Sequence, residues 1–232
     1  MAERILALDS ASGACSACVC DGDKVLAFTL INRGLTHSQT LLPAVDQVLS
    51  EAATEISDLS LIALTVGPGS FTGLKIGAAT AKGLAFAGET ECAALSSLLC
   101  LAYSCREEEG IICASLDARR NMLYNALFRC ENRKITRLCP DRQISLSDLK
   151  EELDQFSCPV FFAGDGSLPV YEAAGKKENM FFDPERLDIR ADLVALAAFC
   201  GEGERVSAER LSPEYLRLPQ AERERRERLS KK

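Results

Sequence analysis

Apolar residues recur along this chain in two rhythms: short continuous runs, and longer stretches spaced by threes and fours. The runs 4–9 (RILALD), 14–20 (ACSACVC) and 24–31 (KVLAFTLI) predict three strands, with Asp21-Gly22-Asp23 turning the last two into part of an antiparallel meander. After Ser38, a capping residue type, Leu41, Leu42, Val45, Val48, Leu49 and Ala52 fall on one face of a helix over about 38–54. The run 59–66 (LSLIALTV) predicts a buried strand that feeds a glycine-rich loop and a helix over about 72–87. A further helix over 96–104 is capped by Ser96 or Ser97.

The second half repeats the scheme. Runs 111–117, 122–128 and 134–139 read as strands, 147–156 as a helix and 159–163 as a buried strand. Gly164-Asp165-Gly166, a short helix near 168–174 and a last helix over about 190–200 follow. The doubled order predicts an α/β protein of two similar lobes, 1–106 and 107–219, with a boundary in the charged run Arg106 to Gly110 and a flexible charged tail over 220–232.

Composition adds exclusions. The chain has 232 residues, 47% hydrophobic and 26% charged, which suits a globular protein with a large core. No apolar run is long enough to span a bilayer, and MAERILALDS lacks the basic and small-residue signals of a leader peptide, so a cytoplasmic protein is expected. Eleven scattered cysteines, odd in number, suit reduced core thiols. Cys15 and Cys18 make a lone CxxC, but residues three apart in a strand point to opposite faces, which argues against a zinc site.

Charge is uneven. The net charge is −7; residues 1–110 hold 13 acidic and 6 basic side chains, whereas 220–232 hold six basic and three acidic. An acidic body is not an autonomous nucleic-acid binder, and only the tail is expected to touch RNA directly.

Candidate chemistry sits at the strand ends. Asp9 closes the first strand and Asp117 its counterpart 108 residues later, with Ser10 and Ser12 beside the former. Such residues hold a hydrated cation and phosphate oxygens at a cleft, or they simply begin turns. In GPGSFTGLKIG, Gly67 and Gly69 lie between a strand and a helix N-terminus, an anion-binding arrangement or a structural turn; it is neither GxGxxG nor a Walker sequence. Gly73, Gly77, Ala81 and Ala85 recur every four residues, a stripe that packs on the protein's own sheet or admits a partner helix. His37 is the sole histidine, which removes every two-histidine metal site and fits a hydrogen-bonding residue at a helix start.

Five ordered segments carry a resemblance over nearly the whole chain: ILALDSAS from Ile5, THSQTLLPAV from Thr36, VGPGSFTGLKIGAATAKGLA from Val66, SLDARRNMLY from Ser115 and PEYLRLPQA from Pro213. Together they resemble the TsaB (YeaZ) family, a subunit of the bacterial machinery that makes threonylcarbamoyladenosine in tRNA. Ser10-Ala11, Gln39 and Lys75 depart from the Thr-Ser, Glu and Arg usual there.

The resemblance implies a two-lobed fold of the actin-like ATPase and sugar kinase superfamily, each lobe a mixed sheet with flanking helices. It implies a non-catalytic activator of the paralogue TsaD, which modifies adenosine 37 of tRNAs reading codons that begin with adenine. TsaE would join through the complex, a homodimer would form when the chain is alone, and tRNA would be met indirectly or through the tail. The expected partner interface comprises Leu41, Val45, Gly73, Lys75, Gly77, Ala81 and Ala85. A vestigial nucleotide cleft would comprise Asp9, Ser10, Gly67, Gly69, Asp117, Gly164, Asp165 and Gly166. No cofactor or metal is expected, with weak nucleotide binding left open. The rival readings are a nucleotide-hydrolysing enzyme of the sugar kinase type using Asp9 and Asp117, and a peptidase acting on a partner.

Overall fold

The computed structural model describes residues 3–216; the charged tail expected over 220–232 lies outside them. Strands β1 (Arg4–Asp9), β2 (Cys15–Asp21) and β3 (Lys24–Ile31) form the expected meander, and helix α1 (His37–Glu51) follows with Thr36 rather than Ser38 at its cap position. Strand β4 (Leu61–Gly67) pairs parallel to β1, because the α1 crossover returns the chain in the same direction. Helix α2 (Phe71–Gly88) starts where Ser70 Oγ accepts the Gly73 N–H at 3.3 Å and stops at Glu89, in the left-handed region at φ 53°. Strand β5 (Glu91–Ser96), unforeseen in the sequence, pairs parallel to β4 and leads into α3 (Ser97–Ala102).

The second sheet repeats this plan with β6 (Gly110–Asp117), β7 (Met122–Glu131), β8 (Lys134–Arg137), β9 (Arg142–Ser145), β10 (Val160–Ala163) and β11 (Met180–Phe182). Helices α4 (Leu146–Leu153) and α5 (Ser167–Ala173) flank it, and α6 (Ala191–Phe199) and β12 (Glu204–Val206) close the described chain. The strand orders β5-β4-β1-β2-β3 and β11-β10-β6-β7-β8 are equivalent, with β12 added beside β5 and β9 pairing β7. The doubled α/β plan is therefore present, each half a mixed sheet.

The lobe boundary needs one correction. Residues 191–206 do not belong to the second lobe: α6 packs on β1 and β2, and β12 pairs antiparallel with β5 in the first sheet. The cause is burial. Every residue of α3 is buried, and α6 is apolar on several sides, so both sit between the two sheets in a single core with Ile5, Ala7, Ile112 and Phe128. Two further cores lie outside the sheets, one under α1 and α2 and one under α4 and α5. The crossing run is tied down rather than bare: Glu107 pairs with Arg133, and Glu108 with Arg186 at 2.7 Å.

Candidate functional site

Asp9 ends β1 almost fully buried, at 1% exposure. Its Oδ1 accepts the Thr65 hydroxyl at 2.5 Å and the Ala11 N–H at 3.2 Å, while Oδ2 has no partner. Burial pushes this carboxyl up to about 7; the Thr65 and Ala11 bonds oppose that, and the Asp188 charge adds to it. Asp117, the equivalent strand end, is exposed: its Oδ1 accepts the Arg119 N–H at 2.7 Å, and its own N–H donates to Asp165 Oδ1 at 2.9 Å. Desolvation first, then Asp117 and Asp188, hold Asp165 above the usual carboxylate range. The structure thus brings Asp117 and Asp165 together, while the charge of Asp188, a residue the sequence pattern did not single out, raises both Asp165 and Asp9.

The glycines of the expected nucleotide cleft are filled by the protein's own backbone. A Cβ on Gly69 would lie 2.3 Å from the Ala11 carbonyl oxygen, and one on Gly67 2.2 Å from that of Glu214. A Cβ on Gly164 would lie 2.1 Å from the Ser115 carbonyl oxygen, and one on Gly166 2.9 Å from the Leu116 carbonyl carbon. Ser70 N–H donates to the Ala11 carbonyl at 2.7 Å, which splices the loop onto the end of β1. Ser10, at 3% exposure, spends its hydroxyl on the Gly73 carbonyl at 2.9 Å. At these positions the side-chain space is taken up by the protein's own backbone, which is what requires glycine there.

His37 begins α1 with Nε2 2.8 Å from the Ser12 carbonyl oxygen, tying the helix to the β1 turn. Cys15 Sγ donates to Thr40 Oγ1 at 3.1 Å on the α1 side, whereas Cys18 lies 3.4 Å from Cys20 in the shared core, so the CxxC pair does divide between faces. The cysteines are free thiols, and among the described residues no group of three His, Cys, Asp or Glu is placed to hold a metal ion.

The expected interface is largely turned inward. Leu41, Val45, Ala81 and Ala85 are 0–1% exposed, and a Cβ on Gly73 or Gly77 would strike the Ser10 carbonyl oxygen at 1.9 Å or Ser10 Oγ at 2.6 Å. The four-residue stripe packs on β1 and β4; of the seven expected residues only Lys75 is exposed. The outward face of α2 carries a second stripe, Thr72, Lys75, Ala79, Gly83 and Phe86, which is small at Ala79 and Gly83 and has open space around Gly83. Phe86 is 60% exposed, and Leu42 on α1 and Leu35 before it are 50% and 55% exposed. A large apolar residue out of phase with the buried positions was the signal available in the sequence.

Known proteins share this architecture. Residues 34–201 match the family model described as TsaD, tRNA N6-adenosine threonylcarbamoyltransferase. The chain is 33% identical to the tRNA threonylcarbamoyladenosine biosynthesis protein TsaB of Bacillus subtilis, over 94% of this chain and 96% of that one. The solved structure of YeaZ from Pseudomonas aeruginosa is 30% identical, with a TM-score of 0.75, covering 92% of this chain and 100% of that one. Component A of the Acidaminococcus fermentans (R)-2-hydroxyglutaryl-CoA dehydratase is 13% identical with a TM-score of 0.51, over 85% of this chain and 98% of that one, a likeness of fold alone.

Proposed function

This chain belongs to the TsaB family of tRNA threonylcarbamoyladenosine biosynthesis proteins and has the two-lobed actin-like fold, and from that premise we propose that it is a non-catalytic subunit which binds and activates a TsaD transferase. The outward face of α1 and α2 receives the partner. Phe86 carries this reading: it stands 60% exposed beside Ala79 and Gly83 on a helix whose other side is locked in the core. Small residues let a partner helix approach closely, and a protruding aromatic ring supplies an anchor. A helix pair from each protein would complete a four-helix contact. The same face closes a homodimer when the chain is alone.

The absence of catalysis is supported by how the polar groups are spent. The single histidine holds the Ser12 carbonyl, and the cleft glycines receive backbone, so nucleotide binding is weak and nucleotide turnover absent. TsaE joins through the complex, and tRNA is met indirectly or through the basic tail, in the cytoplasm. No helix among the described residues is long and apolar enough to cross a membrane. One observation favours the nucleotide-hydrolysing rival, the unpartnered Asp9 Oδ2. Titration calorimetry separates the two: the proposal expects tight binding to the cognate TsaD and no ATP turnover by the isolated chain. Steady turnover, lost in Asp9→Ala, would overturn it.

A further inference from the structure

Four carboxylates gather at the strand ends of the two sheets. Asp9 ends β1, Asp117 ends β6, Asp165 follows β10, and Asp188 lies in the segment that returns the chain to α6. The Asp117 N–H donates to Asp165 Oδ1 at 2.9 Å, Asp188 accepts from Asn32 Nδ2 at 3.3 Å, and the Asp188 charge acts on both Asp165 and Asp9. Asp9 Oδ1 is spent on Thr65 and the Ala11 N–H, and its buried Oδ2 has no partner. Among the described residues no basic side chain forms an ion pair with any of the four, although Arg119 and Arg120 stand in the turn after Asp117. Carboxylates that crowd one another without a counter-charge call for a cation.

We propose that the chain's own basic segment, residues 217–232, supplies that cation by folding back onto Asp117, Asp165 and Asp188. The described chain ends close by: the Glu214 N–H donates to the Val66 carbonyl at 2.7 Å, one residue beyond the Thr65 that bonds Asp9, and Tyr215 packs on Phe71 with ring centroids 4.8 Å apart. The segment that follows carries seven basic and three acidic side chains. Its length allows a reach of up to about 50 Å when extended, so distance does not limit it. Among the described residues no three of these groups are placed to hold one metal ion, so the negative charge is spread over a span that suits guanidinium and ammonium groups on long arms better than a compact ion. Tethering at this point gives the segment an effective concentration on the order of millimolar, which a basic stretch of a second copy or of another protein would have to match from solution. Nucleic acid is repelled by the carboxylates but attracted by the segment, so RNA and the cluster compete for it. In the free chain the tail is thereby withheld from RNA.

The test is carbodiimide cross-linking of the full chain, which joins a lysine amine to a carboxylate paired with it, read by mass spectrometry. Mixing isotope-labelled with unlabelled protein tells links within a chain from links between chains. Links from Lys231 or Lys232 to Asp117, Asp165 or Asp188 are expected within one chain, and raising salt from about 50 mM to about 500 mM should cut them several-fold. In the double variant Asp165→Asn Asp188→Asn the side-chain amides can still accept from the Asp117 N–H and Asn32 Nδ2, so the bonds are kept while two charges are lost. Its links to Asp117 should fall about 5-fold or more, and its affinity for bulk tRNA should rise about 3- to 10-fold. The control, Glu151→Gln Glu178→Gln, removes two exposed carboxylates elsewhere and should gain less. Melting temperatures accompany both, and the parent's links answer even where the double variant is destabilised. Links only between chains would give the cluster to a second copy and overturn the proposal. Lysine links that bypass all three aspartates, or an equal gain in tRNA affinity in both double variants, would overturn it as well.

Discussion

Ser10 and Gly73 meet so closely that no side chain fits between them: the Ser10 carbonyl oxygen lies 1.9 Å from where a Gly73 Cβ would stand, and Ser10 Oγ donates to the Gly73 carbonyl at 2.9 Å. This contact seats the first turn of α2 on the end of β1, beside Asp9. In an open helix Gly→Ala gains about 1 kcal/mol. Here Gly73→Ala is expected to lose about 1–3 kcal/mol instead, because backbone cannot retreat as a flexible side chain does. Urea unfolding measures it, and a stabilised variant would show that the turn can move.

The two stripes of α2 should respond oppositely. Gly83 has open space around it, so Gly83→Ala is expected to stabilise the chain by up to about 1 kcal/mol. Gly77→Ala drives a methyl into Ser10 Oγ at 2.6 Å, and Ala81→Leu overfills a site at 0% exposure, so both should destabilise by about 1–3 kcal/mol. Thermal melts of the three variants check the order. Equal melting temperatures would mean that the inner stripe is loosely packed.

Periodicity makes the inner stripe legible but not its side. Gly73, Gly77, Ala81 and Ala85 announce a close approach, yet Ala79 and Gly83 announce another on the same helix, and only the sheet decides which faces inward. The meanders, the long helices and the glycine loops were readable because each is a local pattern. Strands β5, β9, β11 and β12 were missed: ECAALS is rich in small residues, and the other three have only three or four residues each. The return of α6 and β12 to the first sheet was hidden because continuity in sequence says nothing about which sheet an apolar helix covers. At the candidate site Asp9 and Asp117 stood out at strand ends and Asp165 in the Gly164-Asp165-Gly166 turn, whereas Asp188 and Tyr215 come from irregular segments with no periodic signal.

Asp9 should leave a mark on pH dependence. Its carboxyl is raised from 3.8 to about 7 by burial, so the folded chain binds a proton that the unfolded chain has released between those values. The contribution is present in full below the unfolded value and is lost as pH rises toward 7, by at most on the order of 4 kcal/mol. Asp9→Asn carries no such proton. The stability difference between the Asn variant and the parent should grow in favour of Asn from about pH 4 to pH 7, then level off. Denaturant titrations across that window measure it, and a constant difference would mean that Asp9 is ionised in the fold.

The central claim is that the outward face of α1 and α2, anchored by Phe86, docks the transferase. The most direct measurement is the affinity of the cognate TsaD for Phe86→Asp, with circular dichroism to verify folding. Phe86 is 60% exposed, so the variant should fold normally. Burying an unpaired carboxylate in a contact built for an aromatic ring should weaken binding by about 30-fold or more and cut tRNA modification in a reconstituted reaction. A folded Phe86→Asp chain that binds as tightly as the parent and supports full modification would place the interface elsewhere.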